Sequence, residues 1–119
     1  MAVAYQKYGS SNTIVTKQSS AAAETITIAD PNGGNSYSVL GAFVNVIAGA
    51  GGANLTINIA GSDIGTAQSA ASAGTFIYQL SSTFSALQGL AGDDITIVTS
   101  GAVQCQVHLI LSQFEPSNA

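Results

Sequence analysis

Residues 101–114 read GAVQCQVHLILSQF. The odd positions Val103, Cys105, Val107, Leu109 and Leu111 are apolar, and the even positions Gln104, Gln106 and His108 are polar, with Ile110 the exception. Side chains alternate faces along a strand, so this spacing predicts a long β-strand with one face in a core. The same period recurs elsewhere. Residues 24–29, ETITIA, put Ile26 and Ile28 inward; residues 53–60 put Leu55, Ile57 and Ile59 inward against Asn54, Thr56 and Asn58; residues 75–80 put Phe76, Tyr78 and Leu80 on one face. Residues 12–17 predict a short strand in which Ile14 and Thr16 oppose Thr13 and Val15.

Residues 36–48, SYSVLGAFVNVIA, are strand-rich and nearly continuously apolar in their second half, with Gly41 marking a bulge or a close crossing. Residues 94–100 predict a further strand, and a short Ser100-Gly101 turn returns it as a hairpin into the strand at 101–114. Asp30-Pro31-Asn32-Gly33 reads as a type I turn followed by glycine. Residues 18–23, 49–52 and 61–74 read as loops, and residues 81–92 as one helical turn or a crossing loop. Residues 1–11 form an N-terminal arm, 12–114 one domain and 115–119 a tail.

Composition agrees with the pattern. Hydrophobic residues make up 46% of the 119, but charged residues only 7%, against roughly 25% in typical domains. Helix surfaces are usually built from Glu, Lys, Arg and Gln, so the deficit favours strands. Seven or eight short strands with glycine-rich turns predict a single-domain, all-β antiparallel β-sandwich or jelly roll. The two lysines, Lys7 and Lys17, make no phosphate-binding stripe, and the net charge of −4 repels nucleic acid. No apolar run approaches the ~20 residues of a membrane span. Met1 reads as an initiator, residues 2–12 lack the charged-then-apolar pattern of an export signal, and Cys105 has no second cysteine to pair with. Synthesis in a cytoplasm is the expectation.

The constellations that could carry chemistry are sparse, and no catalytic residue, cofactor or metal is expected. Residues 49–52 (GAGG) lack the Gly-Lys-Ser/Thr ending of a P-loop, and Asn54 stands where G-x-G-x-x-G needs glycine. Asp93-Asp94, with Asp63, has no calcium-loop spacing and reads as a solvated acidic pair. His108 has no G-x-S-x-G elbow to join and shares its face with Gln104 and Gln106, which makes it a surface or interface histidine. Asn54-Leu55-Thr56 matches a glycosylation sequon but reads as an outward strand position. Tyr5 and Tyr8 have no evident place in a core and are candidate interface residues, because tyrosine buries area while keeping a polar tip wet. Sheet edges are usually guarded by lysine, proline or inward charges. Both lysines here lie near the N-terminus and both prolines outside predicted strands, so edges not covered by bulges or loops predict a partner, most simply a second copy.

The stretches ETITIADPNGG, GGANLTINIAGSDIG and GDDITIVTSGAVQCQVHLIL, with an initiator Met and no catalytic groups, give the chain the overall character of a known group. It resembles the small β-sandwich decoration, or cement, proteins of tailed bacteriophage heads. The likeness is one of character and assigns no residue a role. It implies a virion-surface protein, made in the host cytoplasm and often trimeric, that binds the major capsid protein of an assembled shell and reinforces it. A fibre, spike or tail subunit shares this composition. A carbohydrate-binding sandwich would want exposed aromatics; the chain has no Trp, Tyr78 falls on the buried face, and Tyr37 and the N-terminal tyrosines, Tyr5 and Tyr8, remain candidates.

Overall fold

A computed structural model describes residues 13–31 and 34–114. The described residues form nine strands: β1 (Thr13–Gln18), β2 (Glu24–Ile28), β3 (Ser36–Ala48), β4 (Asn54–Ile59), β5 (Ser62–Asp63), β6 (Gln68–Ser69), β7 (Gly74–Ile77), β8 (Ile95–Thr99) and β9 (Gln104–Phe114). One 3₁₀ turn, Phe84–Leu87, occupies the segment read as a helical turn. The surplus over seven or eight strands comes from β5 and β6, two residues each, inside what reads as a loop. Such short pieces carry no period for a sequence pattern to register. The N-terminal arm with Tyr5 and Tyr8, the tail, and half of the turn at residues 30–33 lie outside the described residues.

All pairings are antiparallel. A front sheet has the order β1-β9-β3-β7, and a back sheet the order β2-β8-β4-β5, with β6 also on β4. The partners nest along the chain: β1 with β9, β2 with β8, β3 with β7, and β4 with β5 and β6. Each successive pair lies in the other sheet. The chain is thus a long double ribbon, tipped at β4–β5 and wrapped over itself, which is the strand order of a jelly roll.

This wrapping overturns the expected β8–β9 hairpin. β8 lies in the back sheet and β9 in the front, so residues 100–103 are a crossover. Ser100 N donates to Asn54 O at 3.0 Å and Val103 N to Gly101 O at 2.8 Å. Gly101 lies close against Ala53: a Cβ there would be 3.0 Å from the Ala53 Cβ. The apolar positions of β8 and β9 both need the core, and opposite sheets deliver both.

The core fills from the predicted inward positions. Val103, Cys105, Val107, Leu109 and Leu111 are buried, facing Leu55, Ile57, Ile59, Ile95 and Ile97 of the back sheet. On β3 the inward set changes parity, from Val39 to Ala42, Val44 and Val46, because the register with β9 shifts between Val39 and Gly41. Gly41 does mark a bulge. A second shift falls between Val46 and Ala48.

Two buried polar side chains, Ser19 and Tyr78, are tied to particular carbonyls and amides, whereas the buried Ser36 Oγ has no hydrogen-bond partner. Ser19 Oγ donates to Val103 O (2.7 Å) and accepts from Cys105 N (3.0 Å), which fastens the β1–β2 connection to the start of β9. Tyr78, fully buried as its phase predicts, reaches across the core, and its hydroxyl accepts from Ile57 N at 3.2 Å. That amide belongs to β4 between the short pieces β5 and β6, which pair with residues 58–59 and 54–55. The phenol stands in where the ladder is interrupted.

Candidate functional site

The continuous apolarity of β3 has a consequence on the outside of the front sheet. Strand register sets three rows across that face: Ile14–Ile110–Gly41, then Thr16–His108–Phe43–Ile77, then Gln18–Gln106–Asn45–Thr75. Ile14 and Ile77 are each 69% exposed, Phe43 42%. Leu40 and Ile47, at the two bulges of β3, are exposed as well. At Gly41 a Cβ would meet Ile110 Cδ1 at 3.4 Å and Phe43 Cε2 at 3.5 Å, ordinary contact distances. Between Phe43, Asn45, Thr75, Ile77 and His108 the surface dips into an open groove of about 450 Å³.

The outer face of the back sheet is different in kind. Its rows are Thr25–Val98–Thr56 and Thr27–Thr96–Asn58–Asp63. Charge divides the same way. The described carboxylates, Glu24, Asp30, Asp63, Asp93 and Asp94, all sit on back-sheet strands or loops attached to them. Of the ionisable described residues on front-sheet strands, His108 faces outward, whereas Lys17 pairs with the buried Val107 and so takes the core-facing phase. Among the described residues, the molecule has a hydroxyl-rich, acidic side and a nearly uncharged side that carries an apolar patch next to a row of amides.

The sheet edges are better guarded than composition suggests. Lys17 is an inward-phase charge on the edge strand β1, and Glu24, paired with the buried Thr99, is one on the edge strand β2. Glu24 Oε1 accepts from Ser20 N (2.6 Å) and Ser20 Oγ (2.8 Å). The opposite edges are the four-residue β7 and the two-residue β5 and β6. Inward charges and short edge strands are two ways natural sheets resist edge-to-edge pairing. The expectation that bare edges demand a partner therefore loses its footing.

The other candidate residues are placed singly. His108 Nδ1 lies 2.9 Å from Thr16 Oγ1, on the apolar face, with the described carboxylates on the other sheet. Asp93 closes a local turn and Asp94 ties the segment after β2 to the start of β8: Leu90 N donates to Asp93 Oδ2 at 2.6 Å and Asp30 N to Asp94 Oδ1 at 2.8 Å. Among the described residues, no group of three or more His, Cys, Asp or Glu could hold a metal ion, and no helix is long and apolar enough to cross a membrane. Residues 49–52 form the crossover from β3 to β4: Ala50 N donates to Ala70 O, and a Cβ on Gly49 would be 2.5 Å from the Ala71 backbone, whereas Gly51 and Gly52 are exposed. The loop joins two strands, so no helix N-terminus stands behind it to receive a phosphate. Asn54 is exposed, as its outward phase predicts.

Tyr37 is half-buried against the core, which leaves only part of its ring for stacking on a sugar, and Tyr5 and Tyr8 lie outside the described residues. Burial first, then the charges of Asp30 and Asp94, push the Tyr37 phenol above the ordinary tyrosine pKa. A polar cleft of about 350 Å³ lies among Asp63, Thr66, Gln79, Ser81 and Ser82. The chain matches no protein-family model, no curated protein and no solved structure.

Proposed function

We propose that this protein is a non-catalytic structural subunit that self-associates and decorates an assembled capsid shell, bound to the major capsid protein on the virion surface. The observation that carries the assembly role is the apolar outer face of the front sheet, with Ile14, Leu40, Phe43, Ile47 and Ile77 exposed. Monomers rarely expose a contiguous apolar patch of more than a few hundred Å², and larger ones usually mark interaction sites. The capsid reading is supported by the sequence character described above and by the jelly-roll order, an architecture found in capsid and lectin domains alike. Fold alone does not assign function, so the choice of a shell rests on the first of these.

Decoration suits such a face. Each contact with the shell can be weak, because an oligomer engaging several equivalent sites gains avidity without new contacts. Purified full-length protein added to undecorated shells should bind them at a fixed stoichiometry and raise their resistance to heat. Failure to bind the shells with which it is produced, or its presence only in tails or fibres, would refute decoration; the latter result would establish the fibre or tail subunit instead.

A further inference from the structure

One side chain on the apolar face can change its charge near neutral pH. His108 stands in the middle row of that face, between Thr16 on β1 and Phe43 on β3, with Ile77 of β7 beyond. It lines the groove together with Phe43, Asn45, Thr75 and Ile77. Histidine is the ordinary side chain that takes up a proton between about pH 8 and about pH 5.

Among the described residues, nothing around it offers a counter-charge. On β9 itself the other titratable group is Cys105, buried on the core side. On β1 it is Lys17, a cation in the core-facing phase. On β3 it is Tyr37, half-buried against the core and paired with Gln113 toward the start of the strand. β7 has none, and Tyr78 beyond it points through the core to the Ile57 amide. The carboxylates belong to the back sheet and its loops.

Thr16 Oγ1 lies 2.9 Å from His108 Nδ1. A hydroxyl donates to a neutral ring nitrogen or accepts from a protonated one, so on the open face Thr16 serves both charge states. A covered face does not treat them alike. Once a neighbouring copy closes over Phe43 and Ile77, an imidazolium must give up water with no carboxylate to meet it. Burying an unpaired charge costs far more than burying the neutral ring.

Resting on the self-association proposed above, we propose that His108 makes it acid-sensitive: the neutral imidazole fits the covered face, and protonation releases the neighbouring copy. The separated copy binds the proton more tightly, so association is strongest above the histidine range and weakens as pH falls through it. Net charge acts in the opposite sense. The chain carries −4, and acidification lowers that self-repulsion, so a weakening in acid cannot come from it.

Sedimentation of the full-length protein at about pH 8 and about pH 5.5, toward either end of the histidine range, tests this, with circular dichroism checking the fold at both. Association should weaken about tenfold or more in acid, since each pH unit below a group's titration contributes up to about tenfold. His108→Gln should lose the acid weakening, whatever its own affinity; weakening that persists in it would overturn the proposal. The chain has one histidine, so its imidazole resonance is unambiguous, and its titration midpoint in the parent should move to lower pH as protein concentration rises. Equal association at both pH values would overturn the switch and leave self-association standing. Tighter association in acid would overturn it too, by placing a carboxylate of the neighbour opposite His108. A monomer at both pH values would remove self-association, and the switch with it.

Discussion

Tyr78 shows how one hydroxyl secures a join between the two sheets. The Ile57 amide it receives has no strand partner where β5 gives way to β6, and an unpaired buried donor costs about 1–3 kcal/mol. Tyr78→Phe should therefore lower unfolding stability by about that amount, read as a shift in urea midpoint with unchanged slope. Burial, the largest effect, raises the Tyr78 phenol above the ordinary tyrosine pKa of 10.0; Asp63 also raises it, and the Ile57 hydrogen bond lowers it. The unfolded chain then ionises first. Stability is complete below a pH of about 10 and falls as pH climbs from there toward the folded-state value. Across that window the gap between the parent protein and Tyr78→Phe should narrow, which titrating both urea midpoints will check; a constant gap would contradict the assignment. The inward phase of Tyr78 was legible from Phe76, Tyr78 and Leu80. Its partner was not, because Ile57 lies on a strand of the other sheet.

At the scale of the element, β9 was legible almost residue by residue, since it is central in its sheet and one face is wholly core. β3 was legible as a strand but not as a surface. Its nearly continuous apolar run offers no alternation from which a face could be read, and the structure places Phe43 and Ile47 outward after the bulge at Gly41. A bulge changes which parity faces the core, so no single alternation template describes both halves. Ile110, the exception in β9, was the available sign that the outer face is apolar. The β8–β9 hairpin failed for a different reason: a short turn between two strands looks the same whether it reverses within a sheet or crosses between sheets. β1 depends on Lys17, whose charge would have to lose water if a second strand paired alongside it. Lys17→Val should keep the monomer fold and even favour β1 locally, yet increase aggregation. Light scattering during a slow thermal ramp should rise earlier than for the parent, and an unchanged onset would show that Lys17 does not guard the edge.

For the whole molecule, the division between an apolar front and a hydroxyl-rich, acidic back is the property on which the proposed role rests. Strand order could not be read in advance, because the nested pairs join residues as distant as Thr13 and Leu111. The front face emerges only once that order brings Ile14, Ile110, Phe43 and Ile77 onto one surface. A contact built from these groups has little charge to screen, so it should persist between low and moderate salt. The direct measurement is sedimentation velocity of the full-length protein and of Phe43→Asp/Ile77→Asp at micromolar concentration. The parent should sediment as a discrete oligomer at both salt levels, and the variant as a monomer with unchanged circular dichroism and an unfolding midpoint that no longer depends on protein concentration. A monomeric parent, or a variant that remains oligomeric, would contradict the assignment of this face as the contact surface.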